Sequence, residues 1–68
     1  MTEPITPRQL TLLQVVAKHP DVAREHLVKA GATELDLAYL EGHDLIRERA
    51  VGHYRVTHMG QSVLKRSL

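Results

Sequence analysis

Apolar residues recur three and four positions apart as far as Gly42 and alternate with polar ones beyond it, so the chain changes from a helical to an extended pattern there. Leu10, Leu13 and Ala17, flanked by Leu12 and Val16, form a broad helical stripe that Pro20 stops near His19. In front of it, Thr6, Pro7, Arg8 and Gln9 have the form of a capping box, with Thr6 as N-cap, proline at the first helical position and Gln9 reaching back. Prolines at 4 and 7 leave residues 1–5 as a flexible N-terminal arm, and the folded domain is expected over 6–68.

Asp21 is placed to cap a second helix from Val22 to Ala30, with Val22, Ala23, Leu27 and Val28 facing inward and Gly31 ending it. Thr33 is placed to cap a third helix, with Leu37 and Leu40 inward and Gly42 near its end. Two short helices separated by so few residues have the form of a helix-turn-helix.

Past Gly42, "LIRERAVGHYRVT" puts Ile46 and Glu48 on one strand face and Leu45, Arg47 and Arg49 on the other. On the returning strand, Tyr54 and Val56 oppose His53, Arg55 and Thr57. With Ile46, Tyr54 and Val56 inward, the face left to solvent carries Arg47, Arg49, Arg55 and His53. Ala50 to Gly52 form the tip, where Gly52 supplies a positive φ. Thr57 ends the strand, and its hydroxyl can accept from an amide in the first turn of a last helix packed through Met59, Val63 and Leu64. Gly60 costs that helix about 1 kcal/mol relative to alanine. Its presence implies a close approach to another backbone.

Composition narrows this picture. Sixty-eight residues make one small domain, and the absence of Cys, Phe and Trp leaves an aliphatic core with no disulfide and no thiolate metal site. A net charge of +1 does not by itself indicate a polyanionic partner, so the distribution of charge has to decide. No apolar run approaches a membrane span, and the first residues lack the basic and apolar regions of a signal peptide; the absence of cysteine fits a cytoplasmic protein, which is the expectation. The five histidines have no zinc-ligand spacing, and no nucleophile elbow or phosphate-binding glycine loop is present. Neither a metal, a cofactor nor catalysis is expected.

At the junction, "LAYLEGHDLIRE" followed by "GHYRVTHMGQSVLKR" resembles the winged helix-turn-helix DNA-binding domain of prokaryotic transcription regulators. There a helix ends just before a Gly-Leu-Ile-like strand, a hairpin follows, and a Tyr-Arg-Leu-Thr-x-x-Gly-like segment starts the closing helix. The resemblance covers residues 31 to 67 and is most specific over Tyr54 to Thr57 and Gly60. It implies a mainly α fold with a small β-hairpin: three helices, a two-stranded wing and a C-terminal helix. Two departures stand out. Asp44 occupies the position of the usual glycine, and no Lys or Arg lies between Ala30 and Ile46, where Glu34, Asp36, Glu41 and Asp44 are found. Carboxylates facing phosphates repel where binding normally gains from counterion release.

The resemblance implies a transcription regulator that places helix three, Thr33 to Glu41, near the major groove of duplex DNA. The candidate contacts are Arg47, Arg49, His53 and Arg55 on the wing, Thr33 and Tyr39 on helix three, and Arg24 and Lys29 on helix two. Simpler readings stand beside these: hairpin arginines also deter strand pairing, and Tyr39 at helical spacing suits a half-buried packing position. The rival function is a winged helix that meets a basic protein partner through Glu34, Asp36 and Glu41 instead of binding DNA. Regulators that read repeated half-sites are commonly two-fold dimers. Helix one, apolar at Leu10, Leu12, Leu13, Val15 and Val16, is the candidate homodimer interface.

Overall fold

Helix α1 (Pro7–Lys18) begins where the capping box requires: the Thr6 hydroxyl accepts from the Gln9 amide at 3.1 Å, and the Gln9 side chain accepts from the Thr6 amide at 3.2 Å. The structure, a computed structural model, describes residues 5–67. Of the expected arm, residues 1–4 lie outside the described residues, and Ile5 is half-buried against the core.

The second helix differs from the expectation. Val22–Ala23 form a short strand, β1, and helix α2 (Arg24–Lys29) starts two residues later than the pattern predicts. Asp21 is not its cap. It takes a left-handed backbone at φ 61°, which an aspartate tolerates better than most residues, and the helix starts at Ala23 without a side-chain cap. The Arg24 amide donates to the Gly52 carbonyl at 2.8 Å, so a backbone group of the hairpin replaces the cap. Val28 is exposed rather than inward, and Leu27, about 100° away round the helix, is the residue α2 buries.

Helix α3 (Glu34–Gly42) carries its own capping box, with the Thr33 hydroxyl accepting from the Asp36 amide and the Asp36 carboxylate accepting from the Thr33 amide. After it, Asp44 adopts φ 58°, the left-handed conformation for which glycine is the usual residue. The backbone reversal is therefore kept with a carboxylate in the glycine's place.

Strands β2 (Ile46–Ala50) and β3 (His53–Val56) form the hairpin, turning at Val51 and Gly52 with Gly52 at φ 77°. β1 pairs with β3 on its other side, adding a third strand to the expected two-stranded wing in an antiparallel sheet of order β1-β3-β2. Val22 leaves the helix because it pairs with Tyr54 in that sheet. Register runs Ile46 opposite Val56, Arg47 opposite Arg55 and Glu48 opposite Tyr54, with an irregularity at Arg49. Leu45, expected on the outer face by alternation, precedes the strand and is buried.

Helix α4 (His58–Ser67) closes the domain over Leu64, while Met59 is 49% exposed instead of packed. The core is aliphatic as composition requires: Leu12, Leu13, Val16, Leu27, Leu37, Leu40 and Ile46 surround Tyr54. Burial, with Glu41 and Glu48 adding to it, holds the Tyr54 phenol above its ordinary range.

The strand-to-helix junction rests on three contacts. The Thr57 hydroxyl accepts from the Gly60 amide at 3.0 Å and donates to the Asp44 carbonyl, and the Thr57 amide donates to the Leu45 carbonyl at 3.0 Å. These bonds pull α4 onto the Asp44–Leu45 turn. Helix α4 then lies so close that a Cβ at Gly60 would stand 2.2 Å from the Leu45 oxygen.

Candidate nucleic-acid interface

Antiparallel pairing sets Arg47 directly opposite Arg55, an unfavourable neighbourhood for two guanidinium groups unless each has a counter-charge. Each has one. Asp21 takes Arg55 in a two-pronged pair, Nε to Oδ1 at 3.0 Å and Nη2 to Oδ2 at 3.1 Å. Asp44 lies 3.5 Å from Arg47. Arg49, at the irregularity in β2, has no carboxylate partner among the described residues. The three arginines line an open groove of about 360 Å³ with Thr57, His58 and Met59 at the start of α4.

The other expected contacts fall elsewhere. Arg24, Lys29 and His53 border a separate groove between α2 and the hairpin tip, together with exposed Val28 and Val51. Arg24 reaches Glu34 of α3 at 3.8 Å, and the His53 ring nitrogen Nδ1 lies 3.0 Å from the Asp21 carbonyl. The cationic residues read from the sequence as one set are thus divided between two grooves. Thr33 is committed to capping α3. Tyr39 is half-buried, with its ring centroid 4.2 Å from that of His43, and borders a groove with Ile5, Leu45, Met59 and Val63. That groove is shared with α4.

On the acidic helix, Glu34 and Glu41 are exposed but Asp36 is only 2% exposed. Its carboxylate receives Arg8 Nε at 3.0 Å, Gln9 Nε2 at 3.3 Å and the Thr33 amide at 3.1 Å. Asp36 therefore leaves the expected partner-binding face and joins α3 to the start of α1. Its pKa is lowered, first by the Thr33 backbone bond, with burial opposing and Arg8, the Thr33 side chain and Gln9 adding. Glu34, Leu35, Ala38 and Glu41 remain outside, and Leu35 is 82% exposed.

Helix one is not a free apolar surface. Leu12, Leu13 and Val16 are buried in the domain's own core, and Leu10 and Val15 pack partly against it. α3, α4 and β3 all pack on it, so Leu12, Leu13 and Val16 of the expected dimer face are turned into the domain itself. The histidines are dispersed, His19 lying beside His26 and His43 beside Tyr39, and among the described residues no group of three or more metal-capable side chains forms. No described helix is long and apolar enough to cross a membrane.

Asp21 and Asp44 are the residues that sequence reasoning did not assign to this surface. Asp44 could be seen as a departure from glycine, but its pairing with Arg47 could not. Asp21 could be read only as a cap, because its partner lies 34 positions away in the chain.

No protein-family model and no curated protein matches this sequence. A solved structure of a multiple antibiotic-resistance repressor (MarR) from Listeria monocytogenes 4b F2365 is similar in fold, with a TM-score of 0.81 at 20% sequence identity. The similarity covers 91% of this chain and 48% of the repressor, so the chain spans about half its length. The order of helices and strands and this overlap together show a winged helix-turn-helix fold.

Proposed function

We propose that the domain binds duplex DNA as part of a transcription regulator and does so chiefly through its wing. The observation that carries this reading is the gathering of Arg47, Arg49 and Arg55 round one groove, in a fold shared with a protein described as a repressor. Arginines so placed contact phosphates and give affinity without reading sequence. Helix α3 brings shape to the major groove more than base recognition, since its outer side presents Glu34, Leu35, Ala38 and Glu41. Lys65 and Arg66 in the last turn of α4 add positive charge.

A salt-titrated binding measurement on mixed duplex DNA tests the reading. Arg49→Ala, removing the arginine without a carboxylate partner, is expected to weaken binding to all duplexes alike. The log-log salt slope should fall in magnitude by about one. A folded R47A/R49A/R55A triple variant with unchanged affinity would rule out the wing as the contact surface.

A second reading is favoured by Leu35. An exposed leucine flanked by Glu34 and Glu41 on the outer side of α3 suits a partner protein with a basic, partly apolar surface. Absence of DNA affinity at low salt, with the domain folded, would favour it over the first.

A further inference from the structure

We propose that Asp21 is a resident counter-ion on Arg55, occupying the guanidinium edge that a DNA phosphate would take and giving it up when DNA binds. This rests on the DNA-binding reading above and names how that surface is restrained. A phosphate recognises arginine through two parallel N–H···O bonds, and the Asp21 carboxylate already makes that pair through Nε and Nη2. Both side chains are about half exposed, so the pair is accessible to exchange.

Two backbone features keep the carboxylate in place. Asp21 sits in a left-handed conformation between α1 and β1, and its carbonyl meets Nδ1 of His53 on the neighbouring strand. The residue is therefore fixed beside β3 independently of its ion pair. Across the sheet, Asp44 bears the same relation to Arg47 at a longer distance, also from a left-handed position. Two of the three wing arginines thus have a carboxylate held by a turn at the edge of the sheet, and Arg49 does not.

The consequence is quantitative. The Arg55–Asp21 pair brings no net charge to the DNA, so it displaces little of the DNA's condensed cation and adds little to affinity or salt slope. Removing the carboxylate's charge converts Arg55 into a full phosphate contact. Asp21→Asn keeps the left-handed backbone, which asparagine also adopts, and removes only the charge.

The test is a double-mutant cycle on the full chain, with binding to mixed duplex DNA measured across a salt series. D21N is expected to bind about tenfold more tightly at low salt, with a slope larger in magnitude by about one. The gain should be lost in the R55A background, where D21N/R55A is expected to bind no tighter than R55A alone. Thermal melts should nearly coincide, because the pair is partly exposed. Should D21N fail to fold, Asp44→Asn with Arg47→Ala makes the same comparison at the second pair. A parent that binds DNA and a D21N variant that binds no tighter, or more weakly, would show that the carboxylate positions Arg55 instead of restraining it. If neither parent nor variant binds DNA at low salt, the DNA-binding reading fails and takes this inference with it.

Discussion

Gly60→Ala is expected to destabilise the domain by about 2 kcal/mol or more, although alanine is the better helix former. In an open helix the substitution would be favourable by up to about 1 kcal/mol. Here the added methyl would stand 2.2 Å from the Leu45 carbonyl oxygen and 2.7 Å from Cγ2 of Val56. Val56 can rotate, but the Leu45 carbonyl cannot move freely: it accepts from the Thr57 amide and belongs to the turn that ends α3. Helix α4 would have to lift, breaking the contacts that Thr57 makes with Asp44 and Gly60. A loss of that size corresponds to a midpoint about 10 °C lower in a domain this small. Gly42→Ala is the matched control, since a Cβ there meets nothing within 4 Å and φ is not positive; its melt should stay level or rise slightly. Equal melting of the two variants would show that α4 does not lie as close to Leu45 as described.

The second large effect is at Asp36. Asp36→Ala is expected to cost about 2 kcal/mol, through loss of a helix cap and of a charge-assisted bond to Arg8. The estimate is held at that level because the Arg8 side chain is 59% exposed and water screens the pair. The loss should be larger than for either exposed glutamate of the same helix, which would carry the role only if the acidic residues formed one surface.

The carboxylate also has a pH signature. Its folded pKa lies below the ordinary value of 3.8, so the stabilisation is complete well above that value. It is lost as pH falls through the ordinary value and on through the lower folded one. Urea midpoints measured on an acid series should converge for parent and D36N at the acid end and separate towards neutrality. A constant difference at every pH would mean that the charge is not what holds α3 to α1. The fixed orientation of α3 matters for either function, because both readings use its outer face.

Local rules were enough for much of the architecture. The capping box at Thr6, the cap at Thr33, the turn at Gly52 and the Thr57 cap depend on residues three or four apart, and interactions over that range are legible in a linear string. Gly60 could be read as a close approach because its propensity penalty demanded a compensation. The resemblance at the strand-to-helix junction led to the fold that the structure has.

Long-range pairing decided the rest. Val22 has the composition of either element; its alignment with Tyr54 in the sheet makes it a strand and moves the start of α2. Asp36 was counted with an exposed acidic face, but Arg8 and Gln9 come from 28 and 27 positions away to bury and satisfy it. Helix one's apolar circumference reads as an interface, but Leu12, Leu13 and Val16 are buried in the domain's own core. The wing arginines show the difference most clearly. Alternation along the strands determined that Arg47 and Arg55 share a face, because successive side chains point to opposite sides. Asp44 lies only three residues from Arg47, but Asp21 reaches Arg55 from 34 positions away, and that pairing was decided by tertiary structure, since a salt bridge depends on distance in space and no local rule couples the two.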